Sequence, residues 1–119
     1  MKDFRNLKVW QKSHQFALAV YKVSATFPKE ELYGITSQIR RSCASIPTNI
    51  AEGCCRGTDA EFGRFLQIAM GSASESEYHL LLAHDLGYLA ATNYEVLSSQ
   101  ISEIKQMLTS LIKKLIADR

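Results

Sequence analysis

The run TNYEVLSSQISEIKQMLTSLIKKLIA, residues 92–117, carries large aliphatic side chains at Leu97, Ile101, Ile104, Leu108, Leu111 and Leu115. Steps of four and three residues alternate along it, which puts all six on one face of an α-helix. The run before it repeats the pattern: Phe62, Leu66, Ala69, Ala73, Ser76, Leu80 and Ala83 again step by four and three. A helix with one apolar seam must bury that seam against a neighbour. Spacing near 3.5 residues favours neighbours packed at about 20° in a bundle. Each run opens with a capping-box pattern, Thr58-Asp59-Ala60-Glu61 and Thr92-Asn93-Tyr94-Glu95. In such a box the threonine hydroxyl accepts from the amide three residues on, and the glutamate reaches back.

Working outward, two further helices precede these. Residues 35–55 carry Ile35, Ile39, Cys43, Ile46, Ile50 and Cys54 on one stripe, with Pro47 inside it. Proline removes one backbone bond, so a kink is expected there, with Ser42, Ser45 or Thr48 offering donors to the freed carbonyl. Gly57 is the expected stop. Residues 7–26 carry two apolar stripes on nearly opposite faces. One is Leu7, Trp10, His14, Ala17, Leu18 and Tyr21; the other is Val9, Phe16, Val20, Val23 and Phe27. A helix that is apolar on two sides needs two partners, the second of them another subunit. Pro28 ends it. The expected organisation is therefore all-α, one domain over residues 1–119, with helices at 7–26, 35–55, 59–88 and 93–117. Short connections make neighbours antiparallel, giving an up-down-up-down four-helix bundle.

Composition fits this frame. In 119 residues, 46% are apolar and 22% charged, which describes a globular chain that can bury one core. No apolar run reaches the length of a membrane span, and the opening Met-Lys-Asp-Phe-Arg-Asn-Leu-Lys lacks the apolar segment of a secretory signal. The expected compartment is the cytoplasm. Three cysteines, two of them adjacent (Cys54, Cys55), make a poor disulfide framework. The net charge is +2. Residues 1–64 hold ten Lys and Arg against six Asp and Glu, and residues 65–119 hold four against six.

Arginine binds phosphate through a planar fork of donors, so the basic first half supplies the candidate site. Arg40 and Arg41 are adjacent and point about 100° apart on a helix. Arg56 flanks the turn before the third helix and Arg64 lies two turns into it, so a hairpin of helices two and three brings them together. With Lys2, Arg5, Lys8 and Lys12 they are the candidate anion-binding residues. The competing reading is ion pairing with Glu52, Glu61, Glu75 or Glu77. Catalytic and metal chemistry finds little support. Glu75 and Glu77 are two apart and do not face each other on a helix, and salt bridges suit them better. His14, His79 and His84 lack the i, i+3 or i+4 spacing of helical zinc ligands. His14 falls in an apolar stripe and reads as a core histidine, and Cys43 and Cys54 read as small buried hydrophobes. No cofactor is implied.

Several segments carry a resemblance: Leu7-Lys8-Val9-Trp10, Phe27-Pro28-Lys29-Glu30, Tyr33-Gly34-Ile35-Thr36-Ser37-Gln38-Ile39-Arg40-Arg41 and Ser45-Ile46-Pro47-Thr48-Asn49-Ile50-Ala51-Glu52-Gly53. Glu61-Phe62, Arg64-Phe65-Leu66, Ile68-Ala69, Gly71-Ser72 and Leu86-Gly87-Tyr88-Leu89 continue it. Together they resemble the bacterial four-helix-bundle proteins encoded in intervening sequences of 23S ribosomal RNA genes. The resemblance implies a four-helix protomer and a homopentameric barrel. It also links the chain to the accessory variability determinant of diversity-generating retroelements, a basic protein that works with nucleic acid and a reverse transcriptase. Cys54-Cys55 departs from that pattern, where an aromatic followed by a small residue is usual. The function expected from this is a non-enzymatic oligomer that binds structured nucleic acid, RNA first, through phosphate contacts. Five copies of +2 would give a ring of about +10, with steep salt dependence. The alternative is a protein-interaction scaffold without direct nucleic-acid binding.

Overall fold

The fold was analysed in a computed structural model, which describes residues 3–117. Four α-helices make up the described chain: α1 (Lys8–Ser24), α2 (Ile35–Cys54), α3 (Asp59–Asp85) and α4 (Ala91–Ala117). Single 3-10 turns at Phe4–Asn6 and Lys29–Glu31 precede α1 and α2. Each helix packs antiparallel on its neighbours in chain order, and α4 closes back on α1. The result is an up-down-up-down rod of 47 × 23 × 20 Å. No described helix is long and apolar enough to cross a membrane.

The seams are where the spacing puts them. All six stripe residues of α2 and all seven of α3 are buried. In α4 the seam runs Leu97, Ile101, Ile104 and Leu108, then continues through Ile112 and Leu115, leaving Leu111 half-buried. A 3.6-residue helix drifts about 40° against a 3.5-residue repeat over the two heptads from Leu97, so Leu111 and Ile112 straddle the seam there. α3 also buries a second row, Phe65, Ser72 and His79, against α2.

The helix ends correct four expectations. α3 stops at Asp85 rather than 88, because Gly87 takes φ +81° and turns the chain. The Tyr88 amide then donates to Ala83 O at 2.9 Å and the Gly87 amide to His84 O at 3.0 Å, a Schellman closure. α4 starts at Ala91, with the Tyr94 amide on Ala90 O, so Thr92 lies inside the helix and its box is not the cap. Gly57 does not close α2; the amides of Cys55 and Arg56 tighten onto Glu52 O and Gly53 O instead. α1 ends at Ser24, and the Thr26 and Phe27 amides close onto Val23 O and Ser24 O ahead of Pro28. The Thr58 cap holds, its Oγ1 accepting from the Glu61 amide at 3.2 Å.

α2 runs unbroken through buried Pro47. Side chains of the next turn reach back to nearby carbonyls: Thr48 Oγ1 donates to Ala44 O and Asn49 Nδ2 to Ser45 O, both at 2.8 Å. Beside it, Ser45 and Ser72 share a 2.8 Å hydrogen bond across to α3.

Candidate nucleic-acid interface

The connection between α2 and α3 is short because Gly53 lets the two helices touch. A Cβ there would lie 2.9 Å from both Phe62 Cδ1 and Phe65 Cβ. This contact sets Phe65 at the base of the connection, and two guanidinium groups lie against it. Arg56 sits 4.8 Å from the ring centroid and Arg64 4.6 Å. Arg64 Nε donates to Glu61 Oε2 at 3.0 Å, one turn back. A guanidinium stacked on a ring keeps its in-plane N–H groups available to an anion. The expected meeting of Arg56 and Arg64 is thus present, with Phe65 between them.

The other candidates lie elsewhere. Arg40 ties α2 to the end of α1: Nε donates to Ser24 Oγ at 2.8 Å and Nη2 to Tyr21 O at 3.2 Å, with the guanidinium over the Tyr21 ring. Arg41 pairs with Glu75 across to α3 at 3.1 Å. Lys12 pairs with Glu103 across to α4 at 3.4 Å. The competing reading of ion pairing therefore fits Arg41 with Glu75 and Arg64 with Glu61. Glu77 binds Lys105 at 2.9 Å, so neither of the two neighbouring glutamates faces the other. Lys8, by contrast, lines a shallow groove between α1 and α4 together with Lys114. Arg5 is held by Asp3 Oδ1 at 3.4 Å, and Lys2 lies outside the described residues. Lys113 and Lys114, near the end of α4, are not among the candidates that the sequence offers. The signal missed was the topology: an up-down-up-down chain brings the end of α4 to the same end of the rod as the end of α2.

The expectation of a core position for His14 is corrected. His14 is exposed and stacks on Trp10 at 5.0 Å and 11°, whereas His79 is buried. His14 is one residue off the stripe that α1 turns inward, and that offset carries it to the surface. His79 Nδ1 lies 3.3 Å from Ser42 Oγ, which also accepts from Ser76 Oγ at 3.0 Å. Burial pushes the His79 pKa below the ordinary value; nearby Glu75 opposes the shift and Arg41 adds to it. His84 stacks on Tyr94 at 4.5 Å and faces Leu89 O through Nδ1. Cys43 and Cys54 are buried, and burial pushes the Cys43 thiol up to about 12; Cys55 is exposed. Among the described residues, no three of His, Cys, Asp and Glu are grouped to hold a metal ion.

The second apolar face of α1 remains at the surface, with Leu18 58% and Tyr21 46% exposed. It meets Ala44, Pro47 and Ala51 of α2 in an open groove of about 600 Å³. Phe4 and Trp10 close one end, edge to face at 4.9 Å.

Comparison with known proteins agrees with the geometry. The family described as 23S rRNA-intervening sequence protein matches residues 5–110. A crystal structure from Bacteroides thetaiotaomicron, of a protein with unknown function from the S23 ribosomal protein family, superposes with a TM-score of 0.82. It is 33% identical, over 88% of this chain and 95% of that one. No curated protein matches significantly. A match over most of the chain, carried by the same antiparallel helices, places this protein in the 23S rRNA-intervening sequence protein family.

Proposed function

We propose that the protein is a non-enzymatic, homo-oligomeric bundle that binds structured nucleic acid, RNA first, through phosphate contacts. The observation that carries the reading is membership, over residues 5–110, of a family whose name ties it to 23S rRNA. The surface is compatible with it. A phosphate contact needs donors not consumed inside the protein, and Lys8, Arg56, Lys113 and Lys114 have no carboxylate partner among the described residues. Recognition would follow shape and backbone rather than base sequence, because Phe65 beside Arg56 is buried and Trp10 near Lys8 is already engaged by Phe4 and His14. Assembly into a ring, a pentamer on the family resemblance, multiplies each weak contact.

Fluorescence anisotropy with a structured RNA hairpin, on protein of known mass, tests this. Binding that weakens at least tenfold between about 50 and about 200 mM salt is expected for a multivalent phosphate contact. No binding at the lower salt would overturn it.

A second reading, a protein-interaction scaffold, is favoured by the apolar groove along α1 and α2. Under the first reading that groove is covered by a neighbouring copy. Leu18→Asp with Tyr21→Asp should then reduce the solution mass to a single chain. An unchanged oligomeric mass would free the groove for another partner.

A further inference from the structure

We propose that the nucleic-acid contact is one end of the bundle, formed by the start of α1, the α2–α3 connection and the last turn of α4, with the phosphate backbone as its ligand. The proposal rests on the reading above that the protein binds structured nucleic acid. It departs from the sequence in assigning no contact to Arg40, Arg41 or Lys12.

The first argument is topology. Antiparallel packing gathers Arg5, Lys8, Arg56, Arg64, Lys113 and Lys114 at this end, against the acids Asp3, Glu52, Asp59 and Glu61. Asp3 is tied to Arg5 and Glu61 to Arg64. At the opposite end Lys22, Lys29 and Arg40 meet Glu30, Glu31, Asp85 and Glu95. A polyanion is thus drawn to one end and repelled by the other. The end face is 23 by 20 Å across, and because salt at 0.1 M screens beyond about 10 Å, each cation there acts on the phosphates nearest to it.

The second argument is what each cation is already doing. Away from this end, Arg41 and Lys12 are ion-paired along the sides of the rod, and Arg40, towards the opposite end, spends two donors on Ser24 and Tyr21. At the end, Lys8, Arg56, Lys113 and Lys114 have no carboxylate partner among the described residues; Lys22 and Lys29 have none either, but they lie at the end where acids outnumber cations.

The third argument is preorganisation. Arg56 and Arg64 are laid on the buried Phe65 ring, so less side-chain freedom is lost when a phosphate arrives. The ring is covered by its two arginines and is not offered to a base. The contact therefore reads backbone, as a duplex or hairpin presents it.

Two triple variants that each remove three positive charges make the test. The end variant is Lys8→Gln, Arg56→Gln, Lys114→Gln; the side variant is Lys12→Gln, Arg40→Gln, Arg41→Gln. Anisotropy with an RNA hairpin is measured for both and for the unaltered protein, after checking helicity and mass. The end variant is expected to bind at least tenfold more weakly, with a salt slope shallower by about two. The side variant is expected to stay within about threefold. Equal losses, or a larger loss in the side variant, would overturn the proposal while leaving nucleic-acid binding intact. No binding by the unaltered protein would overturn the underlying reading as well.

A measurement without substitution checks the same surface. Cys55 is exposed beside Arg56, whereas Cys43 and Cys54 are buried. Its alkylation by a maleimide should slow several-fold at saturating RNA. An unchanged rate would remove Arg56 from the contact and overturn the proposal.

Discussion

The two seams that α3 makes with its neighbours are built from different chemistry. Towards α2 it presents small and polar groups. Ser72 meets Ser45, Ser76 meets Ser42, His79 faces Ser42 and Glu75 reaches Arg41. At the foot of the seam Gly53 lets backbone approach ring. Around α4 the contacts are aliphatic: Leu97, Ile101, Ile104, Leu108, Ile112 and Leu115 fill the core, with Lys105–Glu77 outside it. An aliphatic seam contributes buried area and tolerates a small slide. A seam of short hydrogen bonds contributes less area, but it holds one register, because a slide would strand each hydroxyl. The α4 side contributes buried aliphatic area, and the α2–α3 side fixes how the helices and the Arg56–Phe65–Arg64 group are aligned.

The largest expected effect tests the aliphatic seam. Leu108 is fully buried, and Leu108→Ala should cost about 2–5 kcal/mol in chemical denaturation, transfer and cavity terms together. A cost below about 1 kcal/mol would mean that α4 repacks freely and that its aliphatic seam contributes little to stability.

Next comes Gly53→Ala. Its methyl group would overlap Phe62 Cδ1 and Phe65 Cβ, and the latter cannot swing away as a side-chain tip can. Destabilisation of about 1–3 kcal/mol is expected, despite alanine's better helix propensity. Because the contact also seats Phe65, RNA affinity should fall in this variant even where it remains folded. A stabilised variant with unchanged affinity would break the link between the close approach and the arginine pair.

These contrasts explain what could be read from the chain. The stripes of α2 and α3 were legible because burial follows periodicity, and the α4 stripe was legible until drift moved its last turns from Leu111 to Ile112. Thr58 was the cap the pattern promised and Thr92 was not, since the same four-residue pattern fits inside a helix that starts two residues earlier. The pairing of Arg56 with Arg64 followed from a hairpin. The engagement of Arg40 and Lys12 did not, because it depends on α1 and α4 side chains that come near only in three dimensions. Lys113 and Lys114 were not among the candidates, because their place at the same end of the rod as Arg56 follows from topology rather than spacing. His14 and His79 show the same limit. Both sit near an apolar stripe, and a one-residue offset decides which of them meets solvent.

The smallest effect concerns His79, the titratable member of the polar seam. Its pKa in the folded protein is depressed by burial, with Arg41 acting in the same direction and Glu75 against it. Above the ordinary histidine range the ring is neutral folded and unfolded, and contributes no pH dependence. As pH falls through about 6.5 the unfolded chain takes up the proton first. Stability is then lost progressively until the folded-state pKa is passed, because the unfolded state binds more protons across that window. His79→Gln keeps a polar group near Ser42 and should cost about 1 kcal/mol or less at pH 7.5. The difference from the unaltered protein should narrow between pH 7 and pH 5, because only the histidine is penalised by acid. Parallel stability curves over that range would show that the imidazole ionises as readily inside the seam as in water, and that the hydroxyls around it do not enforce a neutral ring.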